Sequence, residues 1–461
     1  MMEFNFKARA MLVGGLYFCF GAMERATWPN LLPTIASDFG VSSAAIAWTI
    51  IAFALGMAGS TLTAGRLGDI LGHKRLAAWG FAIEGLILAA IAFMPVLWPI
   101  FLLRFLQGFA AAAALNNVSA IVFGAYSREY RGRVIGLVSG LASIGLLLGP
   151  LYSGFIGQSL SWRWAIIGIA IYVLAQSLIT IFLITNEYQT RAQGTLRDLN
   201  WSGAVGFLLS MVGLIISVQL LRSASLRWLG ITLFILAIGA VFATIRSERL
   251  AKLPILGLNL FRSWNFSSAS ASIICFSVAF GAMNLLFPFY LQNGLGWTIA
   301  ASGVILVALN VVQPFCSPVS GYLADRIGPL PVIFSGWTIA IISLVLSTRL
   351  GDSPTHFEVI IPLLIFGLSA SLFMPASTKL IYADVPQTAL ASAAAMATSG
   401  RYIGQSLGAA LGTALLITQG DSNITTSFGT ALTVTAALLT ISMVLMIVAR
   451  PIFALIKGKT S

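Results

Sequence analysis

The chain has 461 residues, of which 58% are hydrophobic and 9% are Asp, Glu, Lys or Arg, against roughly 45–50% and 25% in an ordinary soluble domain. No water-soluble fold of this size buries that much apolar surface, and apolar runs of about 20 residues, each long enough to cross a hydrocarbon core of about 30 Å, recur from end to end. A formal net charge of +12 would suggest nucleic acid as a partner in a soluble chain, but here the charges sit between apolar runs, so lipid is the expected partner and nucleic acid is not.

Segmenting at charges, Pro and Gly predicts spans at 10–33, 43–65, 76–95, 97–124, 132–157, 163–185, 201–221, 227–245, 266–291, 298–323, 329–348, 358–382, 387–418 and 426–449, fourteen in all. The even number puts both termini on one side. Arg163, Arg222, Arg227 and Arg349 fall in one set of loops or at the span ends beside them, Arg25, Arg104 and Arg401 fall inside spans, and every other Lys and Arg falls in the alternate loops and tails or, as Arg133 and Lys379 do, at a span end beside them. Cytoplasmic loops carry the excess of Lys and Arg, so both termini are assigned to the cytoplasm. Lys7 and Arg9 precede the first apolar run as they would in a signal peptide, but that run holds Glu24 and Arg25 and continues to Leu32, which predicts an uncleaved first span. Cys19, Cys275 and Cys316 all lie in apolar runs; they are odd in number, lack metal-like spacing and read as packing residues.

The longest polar connections, 186–200 and 246–265, bracket the seventh and eighth spans. This predicts a six-span bundle over 1–190, a linker with an inserted transmembrane hairpin over 191–255, and a second six-span bundle over 256–461. The two bundles echo each other: Gly65-Arg66-Leu67-Gly68-Asp69 with Gly72 after the second span is matched by Gly321-Tyr322-Leu323-Ala324-Asp325 with Gly328 after the tenth, and Phe20-Gly21-Ala22-Met23-Glu24 by Phe280-Gly281-Ala282-Met283-Asn284. Such repeats in membrane carriers imply a solute site near the bilayer midplane between related halves.

A charge at the centre of a span costs about 2.5–3.5 kcal/mol on insertion scales, so each is expected to face a partner or a wet cavity. Glu24 and Arg25 are adjacent, about 100° apart on a helix. Tyr17, Phe20, Thr27 and Trp28 lie on or beside the Glu24 face at helical spacing, which assigns Glu24 to the cavity and Arg25 to its edge or to a neighbouring helix. Arg104 is the candidate guanidinium for Glu24, and Glu84 in the third span is either a partner for Arg25 or Arg104 or a residue that simply reaches a helix interface. His73 and His356 lie in loops and read as solvated.

The loop from Gly65 to Arg75 joins two spans by a tight turn. Its glycines allow close helix approach and positive φ, while Asp69 can accept from a helix N-terminus or pair with a basic residue, holding one face shut until the contact breaks. In the fifth span Gly136, Gly145, Gly149, Pro150 and Gly154 form a small-residue face with a proline that permits a bend.

On these residues the chain resembles the major facilitator superfamily, and within it the fourteen-span drug:proton antiporters. The stretch 65–75 is similar to the superfamily's signature loop, Arg104-Phe105-Leu106-Gln107-Gly108 to its fourth-span motif, and Gly136 to Gly154 to the fifth-span antiporter motif. Met23 to Pro33 resembles the first-span motif, with Glu24 in place of its usual Asp, and Arg131-Gly132-Arg133 resembles the basic segment that pairs with the signature Asp. The resemblance implies the major facilitator fold and a transporter rather than an enzyme. It also implies proton-coupled export of small amphipathic molecules by alternating access, with Glu24 and Arg104 as the proton-coupling pair.

Gly65, Asp69, Arg75, Arg131, Arg133, Gly145, Gly149, Pro150 and Asp325 are the expected gating residues. Tyr17, Arg25, Trp28, Trp48, Asn116, Asn284, Phe287, Tyr290, Gln313 and Arg401 are the expected substrate-binding residues. Some family members place further acids in the thirteenth span, where this chain has Arg401, Tyr402 and Gln405; that leans toward monocationic, neutral, zwitterionic or anionic solutes. No cofactor or metal is implied, and the chain reads as a monomer of a bacterial inner membrane. The alternative within the same fold is a proton-coupled symporter for metabolite uptake.

Overall fold

The computed structural model describes residues 2–185, 195–221, 225–251, 255–386, 389–419 and 424–458. Within these ranges the side chains of 2–5, 128–129, 131–132, 218, 391, 416–419 and 449–458 are outside the description. In hydrocarbon every backbone N–H and C=O must be satisfied within its own segment, and the helix does this locally. The described residues are accordingly all-helical, without a strand.

The first eight helices are α1 (Met2–Phe39), α2 (Ser43–Leu71), α3 (His73–Ala92), α4 (Trp98–Gly124), α5 (Arg128–Ser159), α6 (Trp162–Leu183), α7 (Trp201–Leu220) and α8 (Arg227–Leu250). They are followed by α9 (Trp264–Phe289), α10 (Ile299–Leu306), α11 (Ala308–Val311), α12 (Gln313–Arg326), α13 (Pro329–Ser347), α14 (His356–Tyr382), α15 (Leu390–Gln419) and α16 (Ile424–Gly458). Counting α10 to α12 as one interrupted span gives the fourteen expected from sequence. Among the described residues, eleven helices are long and apolar enough to cross a membrane by length and composition.

The tenth span departs from the single helix expected. Pro314 has no N–H for the Asn310 carbonyl and Pro318 none for that of Pro314, so the ladder weakens there. The helix breaks at Val307 and Val312, and the Gln313 amide donates instead to Asn310 Oδ1 at 2.9 Å. The chain divides into two compact units, with one boundary at the first of these breaks: one is Met1–Leu256 with Trp297–Val307, the other Gly257–Gly296 with Ala308–Ser461.

In the first unit α1 packs on α5, α2 on α4, and α3 on both α4 and α6. In the second unit α9 packs on α15, α11 and α12 on α14, and α13 on both α14 and α16. The same order of pairing thus occurs in each: first span on fifth, second on fourth, third on fourth and sixth. Glycines make the closest approaches, as small residues do between membrane helices. A Cβ at Gly145 would collide with the Cys19 carbonyl oxygen, and one at Gly149 with the Met23 carbonyl and Ala26. In the second unit Gly404 and Gly408 of α15 lie against the carbonyls of Ile274 and Val278 in the same way.

Helices α7 and α8 pack mainly on each other, with α7 also against α2. Their ends are tied by Glu248, whose carboxylate accepts from Asn200 Nδ2 and from the Leu256 backbone N–H, both at 2.6 Å.

Candidate functional site

The site is built on α1, where Pro29 and Pro33 sit inside the helix. Neither has an N–H to donate, so the carbonyls of Arg25 and Pro29 lose their helical partners and α1 is softened directly after Glu24. Glu24 is 3% exposed, Arg104 2% and Gln107 0%. Arg104 Nη1 donates to Glu24 Oε1 at 3.3 Å and to Gln107 Oε1 at 2.6 Å, and Gln107 Nε2 donates to the same Glu24 oxygen at 3.1 Å.

The far side of the guanidinium is also occupied. Arg104 Nε donates to the Thr49 carbonyl at 3.3 Å, and its carbon lies 4.0 Å from the Trp28 ring centroid and 4.4 Å from that of Phe53. Trp28 is fixed in turn by a 3.1 Å hydrogen bond from its indole N–H to Thr49 Oγ1. Glu84 of α3, 5% exposed, interacts with Gln107 and electrostatically with Glu24, Arg25 and Arg104. Opposite charges held this closely in a water-poor interior exert a strong mutual field, because screening is weak there. A change of spacing therefore changes which charge state is favoured.

The other residues beside Glu24 in the α1 periodicity go to different neighbours. Tyr17 is buried against Phe81, ring centroids 5.1 Å apart, and Phe20 stacks on Tyr172 at 4.2 Å. Thr27 donates to the Gly149 carbonyl at 3.1 Å, and Asn30 to Ser153 Oγ at 3.0 Å. Trp48 is half-buried, and Asn116 donates to the Thr61 carbonyl at 3.2 Å and that of Ala112 at 2.8 Å. Arg25 is half-buried, with its guanidinium folded back over Gly21 toward Tyr17.

The stretch read as a loop from Gly65 to Arg75 is mostly helix, with Gly72 alone turning the chain between α2 and α3 at φ +99°. Gly68 supplies the close approach, since a Cβ there would strike Asn117 Oδ1, whereas Gly65 has open space around it. Asp69 pairs locally, with Arg66 at 3.9 Å and His73 at 3.4 Å, and Arg75 is exposed. His73 is not simply solvated: its Nδ1 lies 2.8 Å from Asn117 Oδ1. The Arg131 side chain lies outside the described residues, and Arg133 is exposed with its guanidinium 5.7 Å from the Tyr130 ring. Pro150 lies inside α5, and its carbonyl accepts from Ser153 Oγ at 2.9 Å.

In the second unit Asp325 pairs with Lys379 Nζ at 2.5 Å, and the same ammonium donates to the Ala324 carbonyl at 2.7 Å. Gly328 turns the chain there at φ +85°, as Gly72 does in the first unit. Asn284 is half-buried and donates to the Phe280 carbonyl at 2.9 Å. Phe287 and Tyr290 are both 0% exposed, packed on Phe428, and the Tyr290 hydroxyl donates to the Gly351 carbonyl at 2.6 Å. Gln313 is half-buried, as is Arg401, whose charge acts on Tyr382.

The chain matches the Major Facilitator Superfamily over residues 13–409 and again over 269–455. It belongs to that superfamily. It is therefore a multi-pass membrane transporter of small molecules, not an enzyme. It is 27% identical over 373 residues to the riboflavin transporter RibZ of Clostridioides difficile, covering 77% of this chain and 76% of that protein. It is 26% identical over 387 residues to the multidrug resistance protein Stp of Mycobacterium tuberculosis, covering 83% and 71%. The fold resembles the crystal structure of the nucleoside transporter NupG, with a TM-score of 0.70 at 13% identity, over 96% of this chain and 99% of that one.

Glu24 and Arg104, expected as a proton-coupling pair, and Trp28, expected among the substrate-binding residues, lie together in the structure. Gln107, named in sequence only within the fourth-span motif, and Thr49 and Phe53, not singled out there, complete the arrangement. Gln107 was legible, one helical turn beyond Arg104 in the fourth-span motif; Thr49 and Phe53 had no signal beyond their place in an apolar run. The glycines of α15 were also legible as a four-residue repeat, Gly400, Gly404, Gly408 and Gly412.

Proposed function

We propose that this transporter exports small amphipathic molecules in exchange for protons by alternating access, with Glu24 as the protonation site and Arg104 as its charge partner. The observation that carries this reading is the buried Glu24 carboxylate, held at once by Arg104 and Gln107 beside a segment of α1 softened by two prolines. At an effective dielectric of about 20, unit charges about 4 Å apart attract by about 4 kcal/mol, and doubling the separation halves that. A small movement of α1 against α4 thus changes by about 2 kcal/mol the preference for the ionised over the protonated acid. Exchange of one proton for one monocation moves no net charge and is driven by the pH gradient alone; for a neutral solute the membrane potential adds about 2.3 kcal/mol per 100 mV.

Export is favoured by the multidrug resistance relative, by the fifth-span motif and by the family resemblance. The riboflavin transporter supports a second reading, proton-coupled uptake of a metabolite. In either case the substrate-contacting set is the one drawn from sequence, with half-buried Trp48 offering an aromatic face for varied solutes. Asp69 and Asp325 with their basic neighbours are the gating contacts, together with Gly65, Arg75, Arg131 and Arg133, while Gly145, Gly149 and Pro150 set the approach of α5 to α1. The bundles span 1–190 and 256–461 with a linker and hairpin over 191–255, the termini face the cytoplasm of a bacterial inner membrane, and the protein acts as a monomer.

The test is efflux of a panel of dyes and antibiotics, ethidium among them, from a transporter-deficient host. Wild type lowers their accumulation and Glu24→Gln, inserted at the same level, does not; full uphill transport by Glu24→Gln removes Glu24 from the mechanism. Inverted vesicles decide direction: with an acidified lumen the antiporter accumulates the dye, whereas a symporter loses it.

A further inference from the structure

Glu84 is a buried acid that the mechanism above leaves without a role. It lies on α3, which packs on α4, within electrostatic reach of Glu24 and Arg25 of α1 and of Gln107 and Arg104 of α4. From α6, the Tyr172 ring stands in the same region and interacts with Glu84, its hydroxyl donating to Gln176 Oε1 at 3.2 Å. Helix α2 also packs on α3, but its charged side chains, Arg66 and Asp69, pair at its C-terminal end next to His73.

Two carboxylates and two guanidiniums therefore share one interior region, and their charges cancel when both acids are ionised. Gln107 is a shared neighbour of the acids: its amide N–H₂ donates to Glu24 at 3.1 Å and it also interacts with Glu84. An isolated third-span carboxylate would be costly at membrane depth. Its cost is offset here by the second guanidinium, Arg25, which the Glu24–Arg104 pair does not need.

We propose that Glu84 is the second carboxylate of the proton-binding site, so that Glu24 and Glu84 take up one proton as a unit, with Gln107 as their shared neighbour. The inference rests on the proton-coupled reading of Glu24. One proton arrives from water, forms an O–H bond on either carboxyl and later leaves by the same bond; nothing else is consumed. Uptake takes the region from neutral to a single positive charge, and a second proton would add a like charge where charge is poorly screened. Two acids so closely coupled titrate as a pair, not as two residues. Replacing either by Gln imitates the loaded state.

The experiment counts protons taken up by the purified full chain in lipid nanodiscs after a downward pH jump, with pyranine as indicator. Glu24→Gln, Glu84→Gln and the double variant are each expected to take up about one proton per chain fewer than wild type, the same loss in all three. Arg25→Gln combined with Glu84→Gln restores a balanced Glu24–Arg104 pair and is expected to regain that proton, which loss of packing at Glu84 would not permit. A wild-type count in Glu84→Gln beside a loss in Glu24→Gln overturns the proposal, as does a loss of two protons in the double variant, which would mean independent acids. A wild-type count in Glu24→Gln sinks the proton-coupled reading itself. Should Glu84→Gln not fold, Glu84→Asp carries the test: the infrared band of the protonated carboxyl is expected to move in Glu84→Asp as it does in Glu24→Asp, and an unmoved band refutes the shared proton.

Discussion

Adding one methyl group to the fifth span is expected to have opposite effects at two glycines of the same motif. At Gly145 the new Cβ would overlap the Cys19 carbonyl oxygen and crowd the Met23 backbone nitrogen at 3.0 Å. Both are backbone atoms of α1, so no side chain can swing aside, and the helices must separate along one of the main pairings of the first unit. Overpacking of this kind costs about 1–3 kcal/mol. At Gly136, nine residues earlier on the same helix, no described atom lies within 4 Å of the added carbon. There the exchange removes only the backbone freedom of glycine, worth about 0.8–1 kcal/mol in favour of Ala within a helix. Gly145→Ala is thus expected to lower the thermal unfolding midpoint of the purified protein in detergent and Gly136→Ala to leave it equal or raise it. If the two variants shift together in sign and size, the close approach of α1 and α5 does not govern stability and the reasoning fails.

Two further outcomes are expected. Asp38, beyond the apolar part of α1, is pushed up by partial burial, but hydrogen bonds from Trp162 and Arg163 and the Arg163 charge outweigh this and hold its carboxyl below its ordinary value. A lowered folded-state value means that the contact stabilises above the ordinary carboxylate range and that this is lost as pH falls through the lowered value. The difference in unfolding midpoint between wild type and Asp38→Asn should therefore shrink on acidification from neutral pH; a difference independent of pH would contradict the assignment. Glu248→Ala leaves the Asn200 amide and the Leu256 N–H without their shared acceptor, at a cost of about 1–3 kcal/mol for a buried unsatisfied donor. Limited proteolysis is expected to cut sooner at the ends of the α7–α8 hairpin, whereas an unchanged digestion rate would show that this carboxylate does not tie it down.

The membrane character, the number and approximate limits of the spans and the internal duplication all follow from the order of residues. Lipid sets a minimum apolar length and a helix is the local way to satisfy the backbone. The same is true of the turn glycines: Gly72 and Gly328 have the positive φ that their matched stretches imply, because that conformation is a property of one residue. Helical periodicity also placed Glu24 among Tyr17, Phe20, Thr27 and Trp28, but it could not assign these side chains to neighbours. Helix α1 has neighbours on several sides, so a 3.6-residue pattern says which residues share a face and not which helix meets it. Tertiary packing sends Tyr17 to Phe81, Phe20 to Tyr172 and Thr27 to Gly149, leaving Glu24 and Trp28 to Arg104. It likewise decides that Gly145 touches α1 while Gly136 touches no described neighbour, and that Glu84, far along the chain from Glu24, interacts with it. Burial of charge supplies the reason: an ionised group in a water-poor interior must find its partners in space, and those partners come from α1, α3 and α4, which only the folded chain brings side by side.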